Sequence, residues 1–364
     1  MNIPRIGVLR ITLRSEYGVL YLAMRPQLSD HPTVQAVRAR QRTRPAPVID
    51  ADWLREICLA AGADDVAFAA VDNPDLVSER EHVEAALPGT RSYISLVVRM
   101  NRDNVRSVAR SVANQEFHRS GEIINEAAHR ITRALEAAGH RALNPSATFP
   151  MEMDRYPGRI WVVAHKPVAV AAGLGVMGIH RNVIHPKFGN FVLLATILVD
   201  APVSSYGAPL DYSPCLECKL CVAACPVGAI KKDGEFDFLA CSVHNYREFM
   251  GGFTDWAQTI ADSDDAADFR SRVTDSENAS MWQSLSFKAN YKAAYCLAVC
   301  PAGEDVIEPY LDDRKAFMDL VLRPLQEKVE TLYVLPNSAA KAHAERRYPH
   351  KPVKVVDSGV RGRA

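Results

Sequence analysis

Six of the eight cysteines in this chain fall into two tight groups, and that grouping constrains the fold more than any other feature. The first group is Cys215-x2-Cys218-x2-Cys221-x3-Cys225-Pro226, and the second is Cys296-x3-Cys300-Pro301. Sulfurs this close in sequence converge on one centre only if the intervening chain curls tightly, and the proline after the last sulfur redirects the chain. Three thiolates of such a run hold one iron–sulfur cluster, and the fourth reaches a neighbouring cluster. Zinc sites use two pairs divided by a longer loop, and unrelated core cysteines have no reason to keep this register. Grouped free thiols survive in a reducing compartment, so a cytoplasmic protein is expected.

The crossing pattern assigns ligands. Cys215, Cys218, Cys221 and Cys300 are expected to hold the first cluster. Cys225 and Cys296 then go to the second, with Cys241 as the natural third ligand. A full copy of the motif would place another cysteine three residues before Cys296, but that residue is Ala293. The second cluster is therefore a three-iron cluster, or a four-iron cluster with one iron bound by solvent, by an oxygen or nitrogen ligand, or by a substrate or partner. His244, Tyr295 and Asp305 are the sequence-near candidates. Cys58 lies on the apolar face of a predicted helix and reads as core.

The 364 residues, 48% of them hydrophobic, have room for two modest domains and their tails. The longest apolar run, Phe191 to Val199, is too short to cross a bilayer, and no secretory leader opens the chain, so no membrane partner is expected. Lysines plus arginines equal acids at 43 each, which excludes a strong global field toward nucleic acid or anionic lipid. Charge is uneven locally: the first 45 residues hold eight arginines against Glu16 and Asp30 and read as a poorly ordered basic extension.

Asp50 is a plausible N-cap for a helix with Trp53, Leu54, Ile57 and Cys58 on one face. Strands are predicted over 64–71 and 93–98, around a helix over 79–87 that stops at Pro88-Gly89, in a βαβ-like alternation. A long amphipathic stretch follows, with Val105, Val108 and Val112 on one stripe and Ile123, Ala127, Ile131 and Leu135 on another, ended by Gly139. After a further strand over 191–199, residues 202–214 read as a linker. Helical segments are predicted from 237 to 260, near Asp262 to Asp268, and from 311 to 332, before a polar, partly ordered tail beyond Asn337.

The stretch Ala172-Gly-Leu-Gly-Val-Met-Gly-Ile-His180, continued by His185-Pro-Lys-Phe-Gly-Asn-Phe191 to Asp200, resembles the epoxyqueuosine reductase and reductive dehalogenase superfamily. Pro88-Gly-Thr-Arg-Ser-Tyr-Ile94 and the position of Cys241, sixteen residues beyond Cys225, fit the same superfamily, and together these cover residues 50 to 305. The resemblance implies an α+β chain: a basic extension over 1–45, a nitroreductase-like α/β domain over 46–205, a bacterial dicluster ferredoxin-like domain over 206–310, and a helical, basic tail over 311–364. It also implies a cobalamin between the two domains, reached by Gly173, Gly175, Gly178 and His180, and fed with electrons through both clusters.

The implied activity is reductive removal of oxygen or another leaving group, with a flavodoxin- or ferredoxin-type donor and tRNA as a possible partner. Arg346, Arg347, Lys351 and Lys354 would then contact phosphate. The catalytic aspartate of epoxyqueuosine reductases would fall near Arg159 and Ile160, so Asp154 and Tyr156 become the candidate proton donors, and His165-Lys166 a candidate cofactor- or substrate-facing pair. The missing twin-arginine leader argues against an exported dehalogenase, and the absent helical-repeat extension departs from the longer epoxyqueuosine reductases. The alternatives are an electron-transfer or corrinoid-reactivating protein with no substrate chemistry of its own, and a reductive dehalogenase-like enzyme.

Overall fold

The computed structural model describes residues 28–40, 45, 47–156, 158–292 and 294–356. Most of the basic extension, and Ala293, lie outside the described residues. The chain divides into two compact units, Met1–Arg44 and Pro45–Ala364. In the first, a short turn over Leu28–Asp30 precedes a helix over Pro32–Ala39, whose N-cap His31 accepts a hydrogen bond from the Thr33 amide; none of that helix is buried.

The second unit begins with the helix Ala51–Ala60, and Asp50 caps it as expected by accepting the Trp53 amide at 2.8 Å. Its strands are β1 (Asp65–Ala70), β2 (Ser92–Arg99), β3 (Ala142–Leu143), β4 (Val176–Met177), β5 (Val183–Ile184), β6 (Val192–Val199), β7 (Leu332–Val334) and β8 (Val353–Val355). The main sheet has the order β1-β2-β6-β3, with every pairing antiparallel. This corrects the βαβ-like reading: strand periodicity reveals which faces are apolar, not which way a neighbour runs.

All of β2 but Arg99 is buried, because helices cover both faces of the sheet. On one face Ile94, Leu96 and Ile197 pack against Leu54 and Cys58 and against Ile124, Ala128, Ile131 and Leu135 of the helix Arg110–Ala137. On the other, Tyr93 and Leu198 pack against Val163 and Val168 beside the helix His165–Ala171. The stripe on the long helix buries Ala127, Ile131 and Leu135 as expected but takes Ile124 in place of Ile123, which is exposed, as are Val108 and Val112. Val105 belongs to a separate short helix, Arg102–Arg106, so the phase read across the break does not carry over.

The cysteine-rich half packs around a second core that joins Cys221, Cys225 and Val299 to Phe317, Leu325, Val334, Ala344 and Tyr348. Residues 338–356 are thus built into the core, through a helix over Ala339–Arg347 and the parallel pair β7–β8. Lys351 is buried against the Leu325 carbonyl and Glu330, and Lys354 is paired with Glu277, which corrects the expectation that they meet phosphate; Arg346 and Arg347 stay exposed. Among the described residues no helix is long and apolar enough to cross a membrane.

Candidate iron–sulfur site and adjoining cavity

The loop bearing Cys215 and Cys218 curls through two left-handed residues, Glu217 (φ 55°) and Lys219 (φ 53°), into the helix Leu220–Ala224, which carries Cys221. Non-glycine residues in that region cost about 1–2 kcal/mol each, a strain that a bound centre can offset. Cys300 follows the short helix Tyr295–Ala298, and its sulfur lies in the electrostatic reach of Cys218 and Cys215. Cys241, on the helix Phe238–Asn245, lies beside Cys296 and Cys225. The seven cysteines thus share one neighbourhood, in which Cys221 and Cys300 both lie in reach of Cys296, and among the described residues no three of them are close enough to hold a single metal ion.

Burial pushes the bare thiols up, Cys241 and Cys300 to about 12 and Cys296 to about 11, and each neighbouring sulfur adds to the effect. Burial drives Cys221 further still. The four thiols so raised, Cys221, Cys241, Cys296 and Cys300, become thiolates only with cations beside them, as iron would supply. Backbone amides already point at the sulfurs: Ile179 donates to Cys215 Sγ at 3.4 Å and Ala229 to Cys225 Sγ at 3.2 Å. Cys58 is fully buried in the other core, with its thiol pushed up to about 12, as expected of a packing residue.

A cavity of about 1510 Å³ opens beside the second sulfur set. Cys225, Cys241 and Cys296 line it; Cys215, Cys218, Cys221 and Cys300 do not. One wall is aromatic, with Phe249 against Phe149, Tyr246 and Tyr291 at ring separations of 6.0, 4.8 and 5.1 Å. Burial holds the Tyr246 and Tyr291 phenols protonated well above their ordinary range. His165, Lys166, His180 and Asn182 also line the cavity.

The tautomers of the two histidines follow from their partners. His165 Nε2 faces the Ser146 carbonyl at 3.2 Å and must donate, so Nδ1 accepts from the Thr196 hydroxyl at 3.0 Å. Burial lowers its basicity, and the neutral ring ties the 146 loop to the sheet. His180 Nδ1 accepts the Asn182 amide at 3.1 Å, which leaves the proton on Nε2. The Asn190 side-chain amide, 3.1 Å from Nε2, therefore presents its oxygen to the ring, giving a partner to an atom otherwise buried with none. Burial lowers His180 to about 4.

Of the four residues expected to reach a cobalamin, only His180 lines the cavity, and the expected pair His165-Lys166 lines it too. Gly173, Gly175 and Gly178 do not line it; their bare backbones are needed by the chain itself. A Cβ on Gly173 (φ +83°) would collide with the Ala208 carbonyl, one on Gly175 would stand 2.5 Å from the Ile184 oxygen, and one on Gly178 2.7 Å from the His180 ring. Asp154 is exposed on a short helical turn, Met153–Arg155, and Tyr156 is half-buried beyond it; neither lines the cavity.

Among the sequence-near candidates for a further ligand, His244 and Tyr295 line the cavity and Asp305 does not. The Tyr295 hydroxyl and His244 Nε2 are buried without partners. His244 Nδ1 accepts the Tyr333 amide at 3.3 Å, so Nε2 carries a proton and in this orientation is a donor, not a ligand. Sequence reasoning missed Asn182, Tyr246 and Tyr291; the one available signal was Asn182, a polar residue inside an otherwise apolar hairpin.

The curled loop, the paired sulfur sets and the flanking helices define a ferredoxin-type iron–sulfur protein, and residues 208–231 match the 4Fe-4S binding domain. The curated proteins to which the chain is similar include epoxyqueuosine reductases. That of Leadbetterella byssophila is 34% identical over 116 residues, 29% of this chain and 38% of the relative. That of Synechococcus sp. strain RCC307 is 28% identical over 170 residues, 44% of this chain and 48% of the relative. The matches thus span less than half the length of these relatives, with the low identity of a divergent one. A solved epoxyqueuosine reductase in complex with an epoxyqueuosine-modified tRNA-Tyr stem loop is 15% identical, with a TM-score of 0.43 over 82% of this chain and 81% of the other.

Proposed function

We propose that the chain is a two-cluster, cobalamin-using reductase that removes oxygen or another leaving group from its substrate. The observation that carries this reading is the one-sided opening: all three cysteines of the incomplete sulfur set face the large cavity, and no cysteine of the complete set does. At about 1510 Å³ the cavity exceeds the usual 300–1,000 Å³ of a small-molecule site, leaving room for a macrocycle and part of a substrate. When bound, the clusters supply single electrons at low potential and cobalamin supplies a low-valent cobalt of high nucleophilicity.

The chain's own residues do the rest. The rings of Phe149, Phe249, Tyr246 and Tyr291 line the cavity with apolar surface, and burial keeps the two phenols protonated, as hydrogen-bond donors rather than ready acids. His180 and Asn190, also on the lining, hold each other in a fixed orientation. Asp154 and Tyr156 act only if their loop closes over the cavity. Electrons enter from a flavodoxin- or ferredoxin-type donor in the reducing cytoplasm, and a modified base in tRNA is the substrate that the similar proteins suggest.

One observation favours a second reading, an electron-transfer or corrinoid-reactivating protein: both proton donors named from the sequence lie off the cavity wall. Anaerobic reconstitution with iron, sulfide and cobalamin, followed by assay on epoxyqueuosine-containing tRNA, separates the two. Stoichiometric cobalamin with turnover supports the reductase; cobalamin bound without turnover removes the tRNA substrate; reconstituted clusters with no bound cobalamin remove the reductase and leave the electron-transfer reading.

A further inference from the structure

The cavity wall holds a cation with no acid beside it. Lys166, in the first turn of the helix His165–Ala171, donates to the Arg181 carbonyl at 2.7 Å and to Asn182 Oδ1 at 3.0 Å, and among the described residues no carboxylate pairs with it. Burial lowers the pKa of the Lys166 ammonium, and the sulfurs of Cys296 and Cys241, once ionised, are the groups in reach that oppose that shift. Asn182 links the two sides: with its oxygen held by the ammonium, its amide nitrogen turns toward Cys296 Sγ, 4.0 Å away. The Asn182 backbone amide is fixed in turn on His180. Two independent contacts thus hold a side-chain donor on a thiolate of the incomplete set, with a positive charge behind it.

Reduction potentials of iron–sulfur clusters follow net charge and the hydrogen bonds to their sulfurs, and outer residues that orient such donors tune the centre. We propose that Lys166 is the charge-compensating, positioning residue of the second cluster: its ammonium orients and polarises the Asn182 amide toward Cys296 and offsets the negative charge that reduction adds. The inference rests on the reading that Cys225, Cys241 and Cys296 hold a cluster. It makes the cavity-facing cluster easier to reduce than its ligands alone would allow, which favours an electron on the side where the cavity opens.

The test is potentiometric titration of the reconstituted full chain, followed by electron paramagnetic resonance, for wild type, K166M, K166R and N182L. The first cluster serves as an internal reference. K166M should lower the second midpoint so that about tenfold less of that cluster is reduced at fixed poise, about 59 mV for one electron. N182L should give a smaller shift in the same direction, K166R should stay near wild type, and the first cluster should not move. An unchanged second midpoint in K166M, an equal shift in K166R, or an equal shift of both clusters would overturn the proposal. Should K166M fail to hold the second cluster, K166R retaining it at the wild-type potential upholds the role of charge, and K166R losing it overturns that role. A wild-type iron count sufficient for one cluster alone would instead refute the two-cluster reading on which the inference rests.

Discussion

The two sulfur sets differ in how they are built. The complete set draws three of its four cysteines from one curled loop, and Cys221 and Cys300 are buried away from the cavity. The incomplete set takes each sulfur from a separate segment, Cys225 after one helix, Cys241 within a second and Cys296 within a third, and all three face open space. A short loop fixes sulfurs by local geometry and closes around them. Three distant segments meet only when the whole unit has folded, and they leave a side free. The first arrangement suits a relay whose surroundings do not change; the second suits a centre that must communicate with what enters the cavity.

The largest effects should come from unbalancing this pair. Cys300→Ala should abolish the first cluster and take about half of the reconstituted iron with it. Because Cys300 crosses from the second cysteine group to the first loop, soluble yield should fall as well. Cys241→Ser should remove or convert only the second cluster, leaving the resonance signal of the first in place. Iron analysis and resonance spectra of the two variants check both outcomes; equal loss of both signals in Cys241→Ser would mean that the sets are not separable.

Next in size is the support for the cavity wall. Glu79 is buried, paired with Arg159, and accepts the Ala164 amide at 2.8 Å where the helix bearing Lys166 begins. Glu79→Ala leaves Arg159 without its partner and should cost about 3–5 kcal/mol, measured by denaturant unfolding of the iron-loaded chain. The second cluster's signal should be perturbed more than that of the first, since only the second adjoins this helix.

How much of this was legible beforehand depends on the range of the contacts involved. Cysteine spacing is a local property, so the two tight cysteine groups were legible in the sequence, whereas the cavity wall that Cys225, Cys241 and Cys296 share was not. The capped helix at Asp50 and the strands β1, β2 and β6 were legible for the same reason, since cap chemistry and apolar runs are local signals. The antiparallel order of the sheet was not, because direction is decided by how the chain returns. Nor was the cavity, whose wall joins Phe149, Lys166, Tyr246 and Tyr291 from segments far apart in sequence. The glycines of the Ala172–His180 stretch were recognised, but their reason was misread: they pack against Ala208, Ile184 and His180 of the same chain.

That revised reason is testable. Gly173→Ala places a side chain at φ +83° against the Ala208 carbonyl and should cost about 1–3 kcal/mol in thermal or denaturant unfolding. The folded fraction should bind cobalamin as wild type does, because the residue does not line the cavity. The smallest effects are expected at Asp154 and Tyr156. Asp154→Asn should change stability by less than about 0.5 kcal/mol, as exposed substitutions do, and neither it nor Tyr156→Phe should alter cluster content or cobalamin binding. A fall in turnover without any of those changes would show that their loop closes over the cavity during reaction.

The central claim is that the incomplete sulfur set is the cluster that meets the cavity's occupant. Its most direct test is to add cobalamin to the anaerobically reconstituted, reduced chain and follow both cluster signals by electron paramagnetic resonance. The account predicts one cobalamin per chain and a change in relaxation or line shape of the second cluster's signal, absent in Cys241→Ser, with the first cluster's signal far less affected. Stoichiometric binding that perturbs the first cluster more than the second, or no binding at all, would contradict it.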